Sequence, residues 1–392
     1  MKRTLSIFLM VVCSLSAMGQ NPMESILSSV ENNNTTLKAL RLEMEAEKLS
    51  NDAESTLADP EFEFAYLWGR PSDIGARQDV SVSQTFDYAT LSGKKKSLNV
   101  GKNEAALQEF RSERMGVLLQ AKTCILEIIY YSELCKVLEK RVDMSSRAVE
   151  ALKVKLATGE CDQLEFNNMV ISLSEGKAEL LAAYSGWETA ALELKRLNGG
   201  ESYASQDLAY ETILLPSDFE SWAQQAAERS PALAYVRAGV AVSRAEVELS
   251  RSESMPSLSL GYSGEFVVGE RFQGISVGVS IPLWSASKKV QRAKAGVAAS
   301  LEREKDAKEQ FYTSLNQSFS NVRRLLEVSS VYEEALSLAG SEELLQKAFD
   351  NGSISSLDYF VGLTNYYDAV RRSLDAQREL QLAYAELTAF EL

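Results

Sequence analysis

The chain has 392 residues and no histidine, and its 55 acidic against 41 basic side chains give a formal charge of −14. A surface this acidic repels phosphate, so no nucleic-acid partner is expected. Without imidazole there is no Ser-His-Asp or Cys-His chemistry and none of the commonest zinc sites, and no glycine-rich phosphate loop occurs, so no enzyme, cofactor or metal site is expected.

Residues 1–19 have the layout of a cleaved secretory signal: Lys2 and Arg3, an apolar run from Leu5 to Val12, then the small-residue site Ala17-Met18-Gly19. Gln20 is the expected mature start. Cys13 lacks the small residue before it that a lipoprotein signal needs, so the chain reads as exported and not lipidated. Losing Lys2 and Arg3 takes the charge to −16. No later stretch approaches the length of apolar sequence that a membrane-spanning helix requires.

A helical stretch over 22–57 is stopped by Pro60. EFEFAYLW (61–68) then sets Phe62, Phe64, Tyr66 and Trp68 against Glu61 and Glu63. A second segment, 79–88, sets Val80, Val82, Phe86 and Tyr88 against Asp79, Ser81, Ser83, Thr85 and Asp87. Period two means strands with one apolar and one polar face. A long helix follows over 92–156, with a 3-4 seam of Leu107, Phe110, Arg114, Val117, Ala121, Cys124, Ile128, Tyr131, Cys135, Leu138 and Val142. Cys124 and Cys135 would lie roughly 16 Å apart on it, too far for a disulfide, and with Cys161 they read as small apolar packing. The glycine break ATGECDQLEF (157–166) leads to a return helix over 163–197, whose Leu180, Tyr184, Trp187, Ala191 and Leu194 can face the seam.

Residues 198–217 have loop chemistry and no period. Beyond them the plan starts again over 218–392. A helix over 218–254 opens with Ser217 and Glu220 at capping-box spacing and stops at Pro256. Strands 257–268 and 272–283 set Leu258, Leu260 and Tyr262, then Ile275, Val277, Val279 and Ile281, against serines and glycine. A helix over 287–349, the break DNGSISSLDY (350–359) and a return helix over 356–390 complete it. DPEFEFAY matches MPSLSLGY at an offset of 196, DVSVSQTFDYATLSGKK matches GISVGVSIPLWSASKKV at 195, and the breaks match at 193. Three matches in one order describe two tandem repeats, 20–197 and 218–392.

At about 9–11 residues each strand is long enough to cross an outer membrane, its aromatics near the ends and its small polar residues suited to a wet lumen. Four strands cannot close alone, so a barrel must be shared between subunits. A 65-residue helix is about 97 Å long, and the two shorter helices of the first repeat, about 71 residues together, would run its length if stacked end to end. Gly93, Lys94, Lys95, Lys96, Lys288 and Lys289 fall where strands become helices. They read either as a solvated charge run or as partners of anionic lipid headgroups.

In this doubled plan, in QTFDYATLSGKKK (84–96) and in the DNGSISSLDY turn, the chain resembles the outer-membrane efflux proteins, the TolC-like channel-tunnels, over essentially its whole mature length. The resemblance implies an α+β, mostly α fold. Long coiled-coil helices would form a periplasmic α-barrel and four strands per chain a transmembrane β-barrel, twelve-stranded in a homotrimer. It implies the exit duct of a tripartite pump, a passive conduit in the cell outer membrane working with a periplasmic adaptor (membrane fusion) protein and an inner-membrane transporter. Phe62, Phe64, Tyr66, Val80, Val82, Leu258, Leu260, Val277 and Val279 would face outer-membrane lipid.

By the same resemblance the helix-to-helix turns form a periplasmic tip that narrows to a gate. Gly159 and Gly352 match the family's turn glycine, and Glu165 and Asp358 match acids that line the constriction, with Asp162 beside them. Phe349 stands where some relatives have tyrosine, Ile354 where some have arginine, and Val361 where some have a second acid. These departures bear on the family's gate-locking salt links and doubled acidic ring. Asp162-x-x-Glu165 and Ser355-x-x-Asp358 also have capping-box spacing, so each acid can equally start its helix. Two other readings are a protein-secretion or heavy-metal export duct of the same fold, and a periplasmic coiled-coil scaffold without a pore.

Overall fold

The computed structural model describes residues 22–70, 75–203, 208–282, 284, 286–340 and 342–392; the expected signal over 1–19 lies outside them. The chain opens with α1 (Pro22–Asn33) and α2 (Thr35–Glu54), where one helix was expected. Asn34 divides them. Its side chain accepts from Leu37 N at 2.8 Å as the cap of α2, and its amide donates to the Leu197 carbonyl at 2.8 Å. Next come β1 (Glu61–Trp68), β2 (Ala76–Phe86) and the single turn α3 (Tyr88–Leu91). β2 stops two residues earlier than expected because Asp87 caps α3 through Thr90 N.

The long α4 (Lys94–Thr158) has 65 residues and the return helix is α5 (Gln163–Leu197). In the second repeat α6 (Phe219–Arg229) and α7 (Pro231–Ser252) again replace one expected helix, parted by Ser230, which caps α7, with Pro231 at its first position. Asp218, and not Ser217, caps α6, accepting from Glu220 N at 3.1 Å. Strands β3 (Ser257–Val267) and β4 (Glu270–Ser280) lead to α8 (Ala286–Ala339). The helix expected to run unbroken to 349 ends there. Gly340, with φ of +78°, interrupts it, and α9 (Glu342–Asp350) resumes before α10 (Ser356–Leu387).

Each repeat is one long helical column beside two shorter helices: α2 and α5 pack along α4, α7 and α10 along α8. α7 and α10 also pack on α4 and so join the repeats. Because α4 is covered from several sides, burial spreads beyond a single seam. Ala121, Ile128, Cys135 and Leu138 of the expected stripe are buried, but so are Leu118, Ile125, Leu126 and Ile129. Arg114 is no seam residue: its guanidinium clasps both carboxylate oxygens of Glu31, at 2.6 and 2.7 Å, and donates to the Leu392 carbonyl. On α5, Leu180, Ala191 and Leu194 meet α4, and Tyr184, though half exposed, donates its hydroxyl to Glu139 of α4, whereas Trp187 is exposed. A Cβ added at Gly186 would lie 2.4 Å from the Tyr131 ring, so only glycine lets the helices approach this closely. Cys124, Cys135 and Cys161 are free thiols.

Where α5 ends, Asn198 accepts from Ser29 Oγ at 3.0 Å and Asn33 Nδ2 at 3.2 Å, tying the α1–α2 junction to the C-terminal end of α5. Residues of the inter-repeat segment then cross the helices, with Tyr203, Leu208 and Tyr210 on one core cluster and Ile213 and Leu215 on another. Gly199 turns the chain with φ of +66°, and a Cβ there would meet the Asn33 carbonyl oxygen at 2.5 Å. Gly199→Ala should cost roughly 1–2 kcal/mol for the left-handed backbone alone, more with the clash. The expected result is a lowered thermal midpoint, whereas Gly200→Ala, with φ of +89° and no atom near its Cβ, should show the backbone cost only.

The four strands form one antiparallel sheet in the order β1-β2-β3-β4, so the two hairpins join through β2 and β3 across the repeats. β1 and β4 are its open edges.

Candidate gate at the helix tips

α4 starts beside the sheet, so its C-terminus lies about 97 Å away at roughly 1.5 Å per residue. Both glycine turns are at that far end, where one core joins them: Ala148, Leu152 and Met169 with Phe349, Tyr359, Leu363 and Tyr367, flanked by Cys161, Phe166 and Ile354. The two turns are built alike. Gly159 has φ of +78° and donates to Leu156 O, while Glu160 N donates to Lys155 O; Gly352 has φ of +66° and donates to Phe349 O, while Ser353 N donates to Ala348 O. This pair of bonds is the Schellman stop, which satisfies the last carbonyls of a helix and needs a left-handed residue. That is why a glycine stands at each break.

The next helix starts within three residues. Asp162 accepts from Glu165 N at 2.8 Å and caps α5. Ser355 Oγ accepts from Asp358 N at 3.0 Å, and Asp358 Oδ2 accepts in return from Ser355 Oγ at 2.6 Å and Ser355 N at 3.4 Å, a complete capping box on α10. Asp162 and Asp358 are exposed and Glu165 is half-buried. The capping roles are therefore present; they leave the outer faces of these carboxylates in solvent.

Phe349 is not a lining residue of one protomer's surface. It is 4% exposed, stacked on Tyr359 with ring centroids 4.4 Å apart, and Lys155 Nζ stands 4.9 Å from its centroid. Tyr359 donates to Gln346 at 2.7 Å, and burial pushes its phenol up to about 12. Ile354 is half-buried in the same core, and Val361 is exposed. Cys161 Sγ donates to Leu152 O at 3.4 Å; desolvation, then the Glu165 and Asp162 carboxylates, push its thiol up. The tyrosines at 359, 366 and 367 were missed by sequence reasoning, although the phase of α10 placed all three near one side of it.

At the other end, the register puts the apolar strand residues on a single face: Phe62 opposite Val82, Phe64 opposite Val80, Leu258 opposite Val279, Leu260 opposite Val277. Phe62, Phe64, Tyr66, Val277 and Val279 are at least half exposed, an apolar surface with no cover from the chain itself. The opposite face carries serines and glycines at 259, 261, 276 and 278. Of the basic residues at the junction, Lys95 pairs with Asp87 at 2.8 Å, Lys94 with Glu248 at 3.7 Å and Lys289 with Glu253 at 3.7 Å. These pairs tie the starts of α4 and α8 to α7 and to the cap of α3; Lys96 and Lys288 are exposed. Among the described residues no helix is long and apolar enough to cross a membrane.

The same fold is found in solved structures of membrane proteins. The open state of the Neisseria gonorrhoeae MtrE outer membrane channel superposes with a TM-score of 0.78 at 14% identity, covering 94% of this chain and 88% of that one. A membrane protein from Pseudomonas aeruginosa gives 0.78 at 13%, covering 94% and 93%. The Campylobacter jejuni CmeC outer membrane channel gives 0.74 at 14%, covering 94% and 85%. No curated protein sequence matches the chain. The sequence model of the outer membrane efflux protein family matches residues 222–390, nearly the whole second repeat. Over that repeat the chain is similar to the outer membrane efflux proteins, and the first repeat follows the same plan.

Proposed function

We propose that the chain is the passive exit duct of a tripartite export system, gated at the glycine turns. On this reading it sits in the outer membrane with its helices in the periplasm and acts as a conduit, a reading supported by the match of residues 222–390 to the outer membrane efflux protein family. The observation that supports the proposal is the pair of matched turns joined by one core, each followed by an acid, Glu165 or Asp358, at the end of the helices opposite the sheet. Three protomers closing their sheets edge to edge, β4 to β1, give twelve strands and place three copies of each acid around one opening. A periplasmic adaptor would dock on the tips and connect them to an inner-membrane transporter.

Like charges crowded at a narrow opening attract cations. The closed channel should therefore prefer cations and be blocked by a trivalent cation added on the tip side. Planar-bilayer recordings of Asp358→Asn should show both effects weakened. Asp162→Asn, which alters a helix cap, should cost at most about 1 kcal/mol of stability with selectivity unchanged. If Asp358→Asn leaves selectivity and block intact, the carboxylate is a helix cap and nothing more.

A further inference from the structure

Near the tip the helix leading into the turn is continuous in the first repeat and broken in the second. Position 147 in α4 corresponds to position 340 at the offset of 193 that aligns the turns. Arg147 lies inside an unbroken helix and pairs with Asp143 at 2.7 Å. Gly340 instead ends α8, leaving α9 as a nine-residue helix between two left-handed glycines, Gly340 and Gly352, both exposed. A Cβ at Gly340 would meet only the Leu344 side chain, at 3.7 Å, so nothing packs tightly against the break.

Side chains of α4 and α10 hold α9 at both ends. At its base Glu342 accepts from Tyr366 Oη of α10 at 2.8 Å and faces Lys140 Nζ of α4 at 3.6 Å. At its far end Phe349 lies between Tyr359 and Lys155. Midway, Leu345 rests on Gly362, where a Cβ would come within 3.0 Å of it. Lys140 is 70% exposed, so its pairing with Glu342 is open to water and weaker than the buried aromatic stack, while the Tyr366–Glu342 bond is partly buried.

We propose that Gly340 is a hinge and the Lys140–Glu342–Tyr366 cluster its latch, so that α9 and the turn after it swing as one piece while α8 stays in place. The proposal rests on the tip being the gate. A glycine outside helical geometry can absorb a large change of φ and ψ at one residue. An unbroken column such as α4 would have to tilt along its whole length.

The test uses spin-label pairs on the full-length protein in lipid nanodiscs, with single-channel recording of the same variants. Val154 of α4 is paired with Leu344 of α9, and separately with Val331 of α8; all three are about two-thirds exposed. In Glu342→Ala the Val154–Leu344 distance should broaden and lengthen by several ångströms and the open probability should rise severalfold, with Val154–Val331 unchanged. Tyr366→Phe, which loses one hydroxyl, should do the same to a smaller extent and serves if Glu342→Ala assembles poorly. Gly340→Ala favours a continuous helix and should restore one narrow Val154–Leu344 distance in either background. Both pairs shifting together would mean that the whole column tilts and would overturn the hinge. So would broadening that persists with Gly340→Ala. Hinge motion without any change in current would uphold the hinge and count against the tip as gate.

Discussion

Lysine at Val277 or Phe64 should abolish recovery of the assembled protein from the outer membrane. Val277 is 64% and Phe64 57% exposed, and the register places both on the apolar face, opposite Leu260 and Val80. A lysine on a lipid-facing strand costs roughly 2–4 kcal/mol near the bilayer midplane. If three protomers share one barrel, the cost is incurred three times per assembly, so a modest penalty per site becomes a failure to close. The same substitution at Ser259 or Ser276 projects from the opposite face, where the cross-strand neighbours are Gly278 and Gly261. Those variants should fractionate with the outer membrane and keep the native oligomer size by light scattering. Equal tolerance at both sets would remove the barrel from the account.

Phe349→Ala should have the largest effect on the tip itself. The ring is 4% exposed and fills the space between Tyr359 and Lys155 in the core that joins the two turns. Truncating a buried phenylalanine typically costs about 3–5 kcal/mol, part of it for the cavity left behind. The loss should appear as local opening, because α9 is short and bounded by Gly340 and Gly352 and can detach without unfolding α8 or α10. Hydrogen exchange should accelerate sharply over 342–350 while the middle of α4, around Ile125 and Ile129, remains protected. Phe349→Leu, which keeps most of the volume, should show a much smaller change. If 342–350 exchanges no faster in Phe349→Ala, the aromatic stack does not hold α9.

Much of this architecture was legible in the residues because it is written in short-range patterns. Alternation in EFEFAYLW placed a strand at Glu61–Trp68, and the return helix after the first break runs over Gln163–Leu197 as expected. The capping signal Ser355-x-x-Asp358 and the glycine breaks at 159 and 352 depend only on neighbours a few residues away; the first is realised as a capping box and the second as helix stops at left-handed glycines. What needed the tertiary structure was decided across the chain. Asn34 splits the first helix because its amide is claimed by the Leu197 carbonyl, 163 residues away in sequence. Trp187 sits at seam spacing yet is exposed, because Gly186 beside it is the residue that allows α5 against Tyr131. Phe349, expected only at the tip, is enclosed in the core because its partner, Tyr359, arrives from the next helix. Periodicity reports which side of a helix is apolar; only the packed neighbours determine how many sides are covered, where a column breaks, and which aromatic is enclosed.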